Sequence, residues 1–191
     1  MEKQLVLASA SPRRSEILTL AGYKFTVTPS SAAEITQGLS GEELARVNAL
    51  AKAREVYARV GKDSVVIGAD TVVCFGDEIL GKPKDCSDAF SMLKKLSGST
   101  HTVITGYAVV GETGEESGAC VTKVRFRVLS DAEINAYIAT GEPFDKAGAY
   151  GIQEKACLFA ESVEGDFYNV IGLPISSLYP LLEKFKIFPV W

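Results

Sequence analysis

Residues 4–22, QLVLASASPRRSEILTLAG, decide what kind of fold this chain can adopt. Gln4 to Ala8 is a short apolar run and reads as a buried strand. Ser11 is a good N-cap residue, and Pro12 suits the first helical position, where its missing N–H costs nothing. Ile17, Leu18 and Ala21 then share a helical face, and Gly22 is a natural stop. The stretch is therefore strand, tight turn, helix. Helix-start N–H groups attract anions. Arg13 and Arg14 fall in that first turn, where the macrodipole disfavours cations but where guanidinium forks would suit phosphate oxygens. Local physics leaves two readings open: a capped helix with solvated arginines, or an anion site.

Working outward, Lys24 to Thr28 alternates like a strand, and Ser31 to Ser40 is a polar loop that contains Glu34. Ser40 and Glu43 predict a capping box for a long helix ending at Gly61. VVIGADTVVCF is either one long buried strand or a strand pair broken at Gly68-Ala69-Asp70. Ser87 to Leu96 reads as a helix. Thr100–Val110 and Ala119–Leu129 read as a hairpin joined by GETGEESG. Ser130 and Glu133 predict a second capping box. EPFDKAGAYGIQ reads as a long loop, residues 156–163 and 166–171 as a second hairpin, and Leu173–Phe185 as a helix kinked at Pro180. Helices and strands interleave, but hairpins break a strict parallel rhythm. The expectation is an α/β (mixed α+β) fold: an elongated, twisted mixed β-sheet flanked by helices, forming two lobes around a central cleft within one domain, 1–191.

Composition narrows the function. The chain has 191 residues, 47% hydrophobic and 23% charged, with a net charge of −4. The negative balance argues against nucleic acid as a partner. No apolar run is long enough to cross a membrane, and the first residues lack the pattern of a secretory signal. The four cysteines, Cys74, Cys86, Cys120 and Cys157, are scattered without a CxxC pair, which suits reduced thiols in a cytoplasmic setting. The single histidine, His101, lies in a strand-like run and reads as a hydrogen-bonded structural residue. With no dinucleotide, P-loop, HExxH or GxSxG signature, catalysis would rest on carboxylates, lysines, arginines and a recruited cation.

Several charged residues adjoin buried runs. Asp70 ends VVIGA, Lys52 lies beside the apolar stripe of its helix in ALAKARE, and Lys82 follows Ile79-Leu80 in GKP. Asp145 and Lys146 stand in the glycine-containing loop. Each has an ordinary reading as a turn cap or snorkelling side chain. Together they are the residue types that hold phosphate and a hard divalent cation.

The set LASASPRRSEIL, GADTVV, GKP, TGYAV, DKAGAYGIQ and NVIGLP, in this order from residue 7 to 174, resembles the Maf family of nucleoside triphosphate pyrophosphatases. The resemblance implies a fold similar to that of the inosine triphosphate pyrophosphatases. It implies hydrolysis of a nucleoside triphosphate to the monophosphate and pyrophosphate with Mg²⁺ or Mn²⁺, a cytoplasmic homodimer, and a link to septum formation. By this resemblance Asp70 is the proton acceptor or a metal ligand, and Glu34 is a second metal ligand. Ser9, Ser11, Arg13 or Arg14, Lys52 and Lys82 hold the phosphates. Arg13, Thr71 and Gln153 match the branch acting on dTTP and UTP, with modified pyrimidine triphosphates as further candidates. A Gln amide offers one donor and one acceptor, which matches the N3–H and O4 edge of uracil or thymine. The alternatives are a 7-methyl-GTP pyrophosphatase of the same family and a non-catalytic nucleotide-binding regulator of septation. The Phe-Pro-Val-Trp tail could pack on its own core or on a partner.

Overall fold

The computed structural model describes residues 3–190. Trp191, and with it the end of the apolar tail, lies outside the described residues; Val190 donates its N–H to Gly22 O at 2.8 Å.

The opening stretch folds as β1 (Gln4–Leu7) and α1 (Pro12–Leu20). There follow β2 (Thr26–Val27), α2 (Gly41–Val60), β3 (Ser64–Phe75), β4 (Glu78–Leu80) and α3 (Cys86–Leu96). The second half holds β5 (Thr100–Gly111), β6 (Gly114–Phe126), α4 (Asp131–Ile138), β7 (Ala160–Glu164), α5 (Phe167–Ile171) and α6 (Ile175–Lys184). The strands form a mixed seven-stranded sheet in the order β2-β1-β3-β5-β6-β7, with β4 also on β3. β1 runs parallel to β2 and β3, and the remaining pairs are antiparallel. Thus VVIGADTVVCF is part of one long strand. Among the described residues no helix is long and apolar enough to cross a membrane, and all four cysteines are unpaired.

Alternation along β3 sends Val65, Ile67, Ala69 and Val73 into the main core, with Leu93, Phe126, Leu178 and Leu182. Val66 joins Ala49, Ala53 and Val56 of α2 on the opposite face. Two glycines permit that helix to lie directly on the sheet. A Cβ at Gly68 would stand 2.1 Å from Ala49 O, and one at Gly106 would stand 2.1 Å from Ala45 O. Gly106 is also the register partner of Asp70 on the neighbouring strand. Small residues at this contact bring the α2 side chains over Asp70.

The edge of β3 leaves room for a site. β1 pairs with it only as far as Ile67, and β4 only from Val73 onward. Gly68 to Val72 therefore face a gap on that side, beside the loop that leaves β1. Loops at the carboxyl ends of parallel strands are a favoured place for ligands.

Five sequence expectations are corrected. Residues 166–171 are not a strand: Asp166 Oδ1 accepts from the N–H groups of Tyr168 (2.7 Å) and Asn169 (3.1 Å), which caps α5 instead. Residues 155–158 likewise form a 3₁₀ turn before β7. GETGEESG is mostly strand, because Gly111 pairs with Gly114 and the turn is only Glu112-Thr113. Its polar residues mark an exposed stretch of β6. Ser11 occupies the N-cap of α1 with extended dihedrals but makes no side-chain cap bond; Ser9 Oγ accepts from the Ser11 N–H at 3.2 Å. At α2, Ser40 Oγ accepts from Glu43 N at 3.3 Å, but the Glu43 carboxylate turns to the Ser40 hydroxyl. The reciprocal box is complete at Ser130 and Glu133. Ser130→Ala should therefore cost about 1 kcal/mol, read as a fall in melting temperature of about 2–4 °C.

Candidate active site

Asp70 is 9% exposed, at the floor of a cavity of about 690 Å³. Its carboxylate is held on both oxygens. Lys52 Nζ lies 2.7 Å from Oδ1, and Asn48 Nδ2 donates to Oδ2 at 3.1 Å. Asn48 and Lys52 are four residues apart on α2, so one helical face supplies both. Lys52 Nζ also reaches Glu34 Oε1 at 2.6 Å, from the loop before α2. The Lys52 ammonium holds the Glu34 carboxyl below the usual carboxylate range, with Lys82 and Arg14 adding to the effect and partial burial opposing it.

The two arginines of the opening stretch divide their tasks. Arg14 is tied inward: Nε donates to Gly172 O (2.8 Å), Nη1 to Ser9 Oγ (2.9 Å) and Nη2 to Thr71 Oγ1 (3.2 Å). Burial lowers its proton affinity, and Asp70 works against that. Thr71 in turn shares a hydrogen bond of 2.9 Å with Thr105, whose hydroxyl donates to Asn169 O at 2.9 Å. Arg13 points the other way, with Nη1 3.4 Å from Glu154 Oε1 and 3.7 Å from Asp145 Oδ2. Lys146, 6% exposed, closes the same loop: Nζ lies 2.7 Å from Glu142 O and Asp145 Oδ1, and 2.8 Å from Glu154 Oε2. Gln153 directly precedes Glu154 of that knot in the chain and stands exposed at the cavity wall.

All the candidate residues of the sequence thus line one cavity: Ser9, Ser11, Arg13, Arg14, Glu34, Lys52, Asp70, Thr71, Lys82 and Gln153. The sequence reading missed Asn48, Glu154 and the Thr105–Asn169 pair. Asn48 carries a usable signal, since it lies one turn before Lys52 on the same helix face.

Among the described residues no three His, Cys, Asp or Glu side chains are gathered as a ready-made metal site. What converges is a carboxylate pair, Glu34 and Asp70, on the single cationic centre of Lys52. Mg²⁺ commonly takes one or two protein carboxylates and completes its shell with waters and substrate phosphates. The pair fits a hard divalent cation whose shell is completed by waters and ligand oxygens.

The fold itself has known counterparts. The solved structure of the Staphylococcus aureus Ham1 protein aligns with a TM-score of 0.55 at 14% identity, over 96% of this chain and all of that one. A HAM1 protein from Coxiella burnetii gives 0.52 at 14% identity, over 95% and 99% of the two chains. The architecture is therefore of the Ham1 type. Within it, the family described as Maf-like protein matches residues 4–185, and this chain belongs to that family. It is 55% identical to the dTTP/UTP pyrophosphatase of Thermococcus kodakarensis, over 94% of this chain and 95% of the relative. It is 46% identical to the dTTP/UTP pyrophosphatase of Bacillus pumilus, over 97% and 98%.

Proposed function

We propose that this protein is a nucleoside triphosphate pyrophosphatase that hydrolyses dTTP and UTP to the monophosphate and pyrophosphate. The observation that carries the reading is Asp70: a nearly buried carboxylate, fixed on both oxygens, at the floor of a cavity lined with arginine and lysine. The names of relatives at 46–55% identity agree with it.

Asp70 and Glu34 would hold Mg²⁺ or Mn²⁺ together with substrate phosphates, where the cation would offset phosphate charge. Lys52, Lys82 and Arg14 supply positive charge to the triphosphate. Water attacks the α-phosphorus, the bond from that phosphorus to the α,β-bridging oxygen breaks, and the water proton passes to Asp70. The pyrophosphate leaves with its new charge facing the cationic side chains. Gln153 reads the base edge, and Arg13 fixes the Asp145–Glu154 loop that carries it. We propose further that one domain of two lobes forms the cleft, and that the protein acts as a cytoplasmic homodimer. The resemblance to the Maf family implies the dimer, and four free thiols suit that compartment.

The test is pyrophosphate release with Mg²⁺ across dTTP, UTP, CTP, dITP and 7-methyl-GTP. Turnover should be fastest with dTTP and UTP. Gln153→Ala should lower kcat/KM for these two about tenfold, the worth of one good hydrogen bond, and should lower that for dITP less. Preference for 7-methyl-GTP would keep the reaction and overturn the roles of Arg13, Thr71 and Gln153 in base choice. Binding of all the nucleotides without turnover would instead indicate a regulator.

A further inference from the structure

We propose that Asn48 is a positioning residue that locks Asp70 and the Glu34 loop into one rigid unit before any nucleotide or cation arrives. The inference rests on the reading of Asp70 as the essential carboxylate. Asn48 is 3% exposed, and its amide is used almost to capacity. Oδ1 accepts from Ile35 N at 2.9 Å, and Nδ2 donates to Ile35 O at 2.9 Å. The other Nδ2 hydrogen goes to Asp70 Oδ2 at 3.1 Å. One planar amide therefore grips the backbone of Ile35 from both sides and the carboxylate of Asp70 at once. An Asn side chain has one acceptor and two donors, which is what these three bonds need; Asp lacks the donors, and an apolar residue lacks all three.

The grip matters because of what it holds. Residues 28–36 have no regular secondary structure, and Ile35 is itself 42% exposed, so apolar burial does little to fix this part of the loop. Among the described residues the loop's backbone is otherwise tied only at its start, remote from Glu34: Thr28 N donates to Leu7 O at 3.0 Å, Arg59 donates to Pro29 O at 2.7 Å, and Glu55 accepts from Ser30 Oγ at 2.8 Å and from Ser31 N at 3.1 Å. Glu34 precedes the gripped residue directly, and its carboxylate meets Lys52 at 2.6 Å. The Asn48 clamp thus sets the distance between the two carboxylates of the site. Holding them in place beforehand removes an ordering cost that substrate binding would otherwise meet. Partners that orient such ligands are worth about 10- to 100-fold in function when removed.

The experiment combines amide hydrogen exchange on the free protein, without nucleotide or metal, with steady-state kinetics. In the unaltered protein the Ile35 amide should exchange more slowly than those of Glu34 and Thr36. In Asn48→Ala that protection should be lost, while protection across α2 and β3 remains. The kcat for dTTP should fall about 10- to 100-fold, with KM little changed, because the Asn48 amide bonds Ile35 and Asp70 and none of the phosphate-binding side chains. Asn48→Asp, which keeps the shape but offers no donor to Asp70 or Ile35 O, should lose kcat to a similar extent and guards against a cavity artefact at Ala. Exchange of Ile35 at its neighbours' rate in the unaltered protein would overturn the proposal. So would unaltered kcat in both variants, or a general loss of protection in place of a local one. Asp70→Asn is measured alongside. Full turnover in that variant would sink the pyrophosphatase mechanism and leave the Ile35 result standing. An inactive Asp70→Asn beside a normal Asn48→Ala would sink this inference alone.

Discussion

Asp70→Asn should bind dTTP in the presence of Mg²⁺ and release pyrophosphate about 10³-fold more slowly than the unaltered protein, within the range for loss of a general base. The substitution keeps the shape of the side chain, and an amide oxygen can still accept from Lys52 where Oδ1 does so now, at 2.7 Å. What disappears is the capacity to take a proton from water, the negative charge that would help hold a cation, and the acceptor for Asn48 Nδ2, which the new amide nitrogen would face instead. The same loss removes a charge that repels an incoming triphosphate and weakens the hold on the Lys52 ammonium, leaving more of its charge for the phosphates. Binding should therefore be retained, with the defect in kcat. Calorimetric titration with dTTP and a coupled pyrophosphate assay separate the two quantities. Near-normal turnover at saturating Mg²⁺ would exclude Asp70 both as proton acceptor and as metal ligand. Binding lost in parallel with turnover would mean that the carboxylate acts chiefly in holding the metal-bound nucleotide.

The parts of this molecule that were legible in the sequence are those whose physics is local. The turn from β1 into α1 declared itself through Pro12 and the apolar face behind it, and Ser130 with Glu133 declared a capping box that forms in full. The long hairpin was legible, but its bend was placed too broadly, because polar residues on an exposed strand look like a loop. The cap at Asp166 failed to register because the following Phe-Tyr-Asn-Val-Ile favours a strand on side-chain grounds, and the two bonds from Tyr168 and Asn169 decided otherwise. The site followed the same division. Single residues such as Asp70 and Lys52 stood out because charge beside an apolar run is costly unless paired. Their pairing with each other depends on Gly68 and Gly106 letting α2 lie on the sheet, which no local pattern states. The separation of Arg13 from Arg14 is equally long-range: one partner lies at Glu154 and the other at Gly172.

His101 should make the fold sensitive to mild acid. Its ring is 2% exposed and packs edge-on against Phe126 and Tyr150, with centroids at 4.9 and 5.3 Å. Nε2 lies 2.7 Å from the Tyr150 hydroxyl, while Nδ1 has no partner among the described residues. An imidazolium here would carry an N–H without an acceptor, inside an apolar cluster. Burial accordingly pushes the His101 pKa down from 6.5 to about 4. Below pH 6.5 the unfolded chain takes up a proton that the folded chain refuses until about pH 4. Stability is therefore undiminished by this residue above the unfolded value and falls as pH drops through that window. The full loss is about 3 kcal/mol, with about 2 kcal/mol already gone by about pH 5. Because the chain has one histidine, and carboxylates such as Glu34 and Asp145 are held below their ordinary values of 4.5 and 3.8, the upper half of the window belongs to His101. Urea unfolding of the unaltered protein between about pH 7 and 5 should show this slope, and His101→Phe should flatten it whatever its starting stability. Equal slopes in the two proteins would place the titration elsewhere. Tyr150 also lines the cavity around Asp70, so protonating His101 disturbs a wall of the site, and activity should decline over the same range in which the fold loosens.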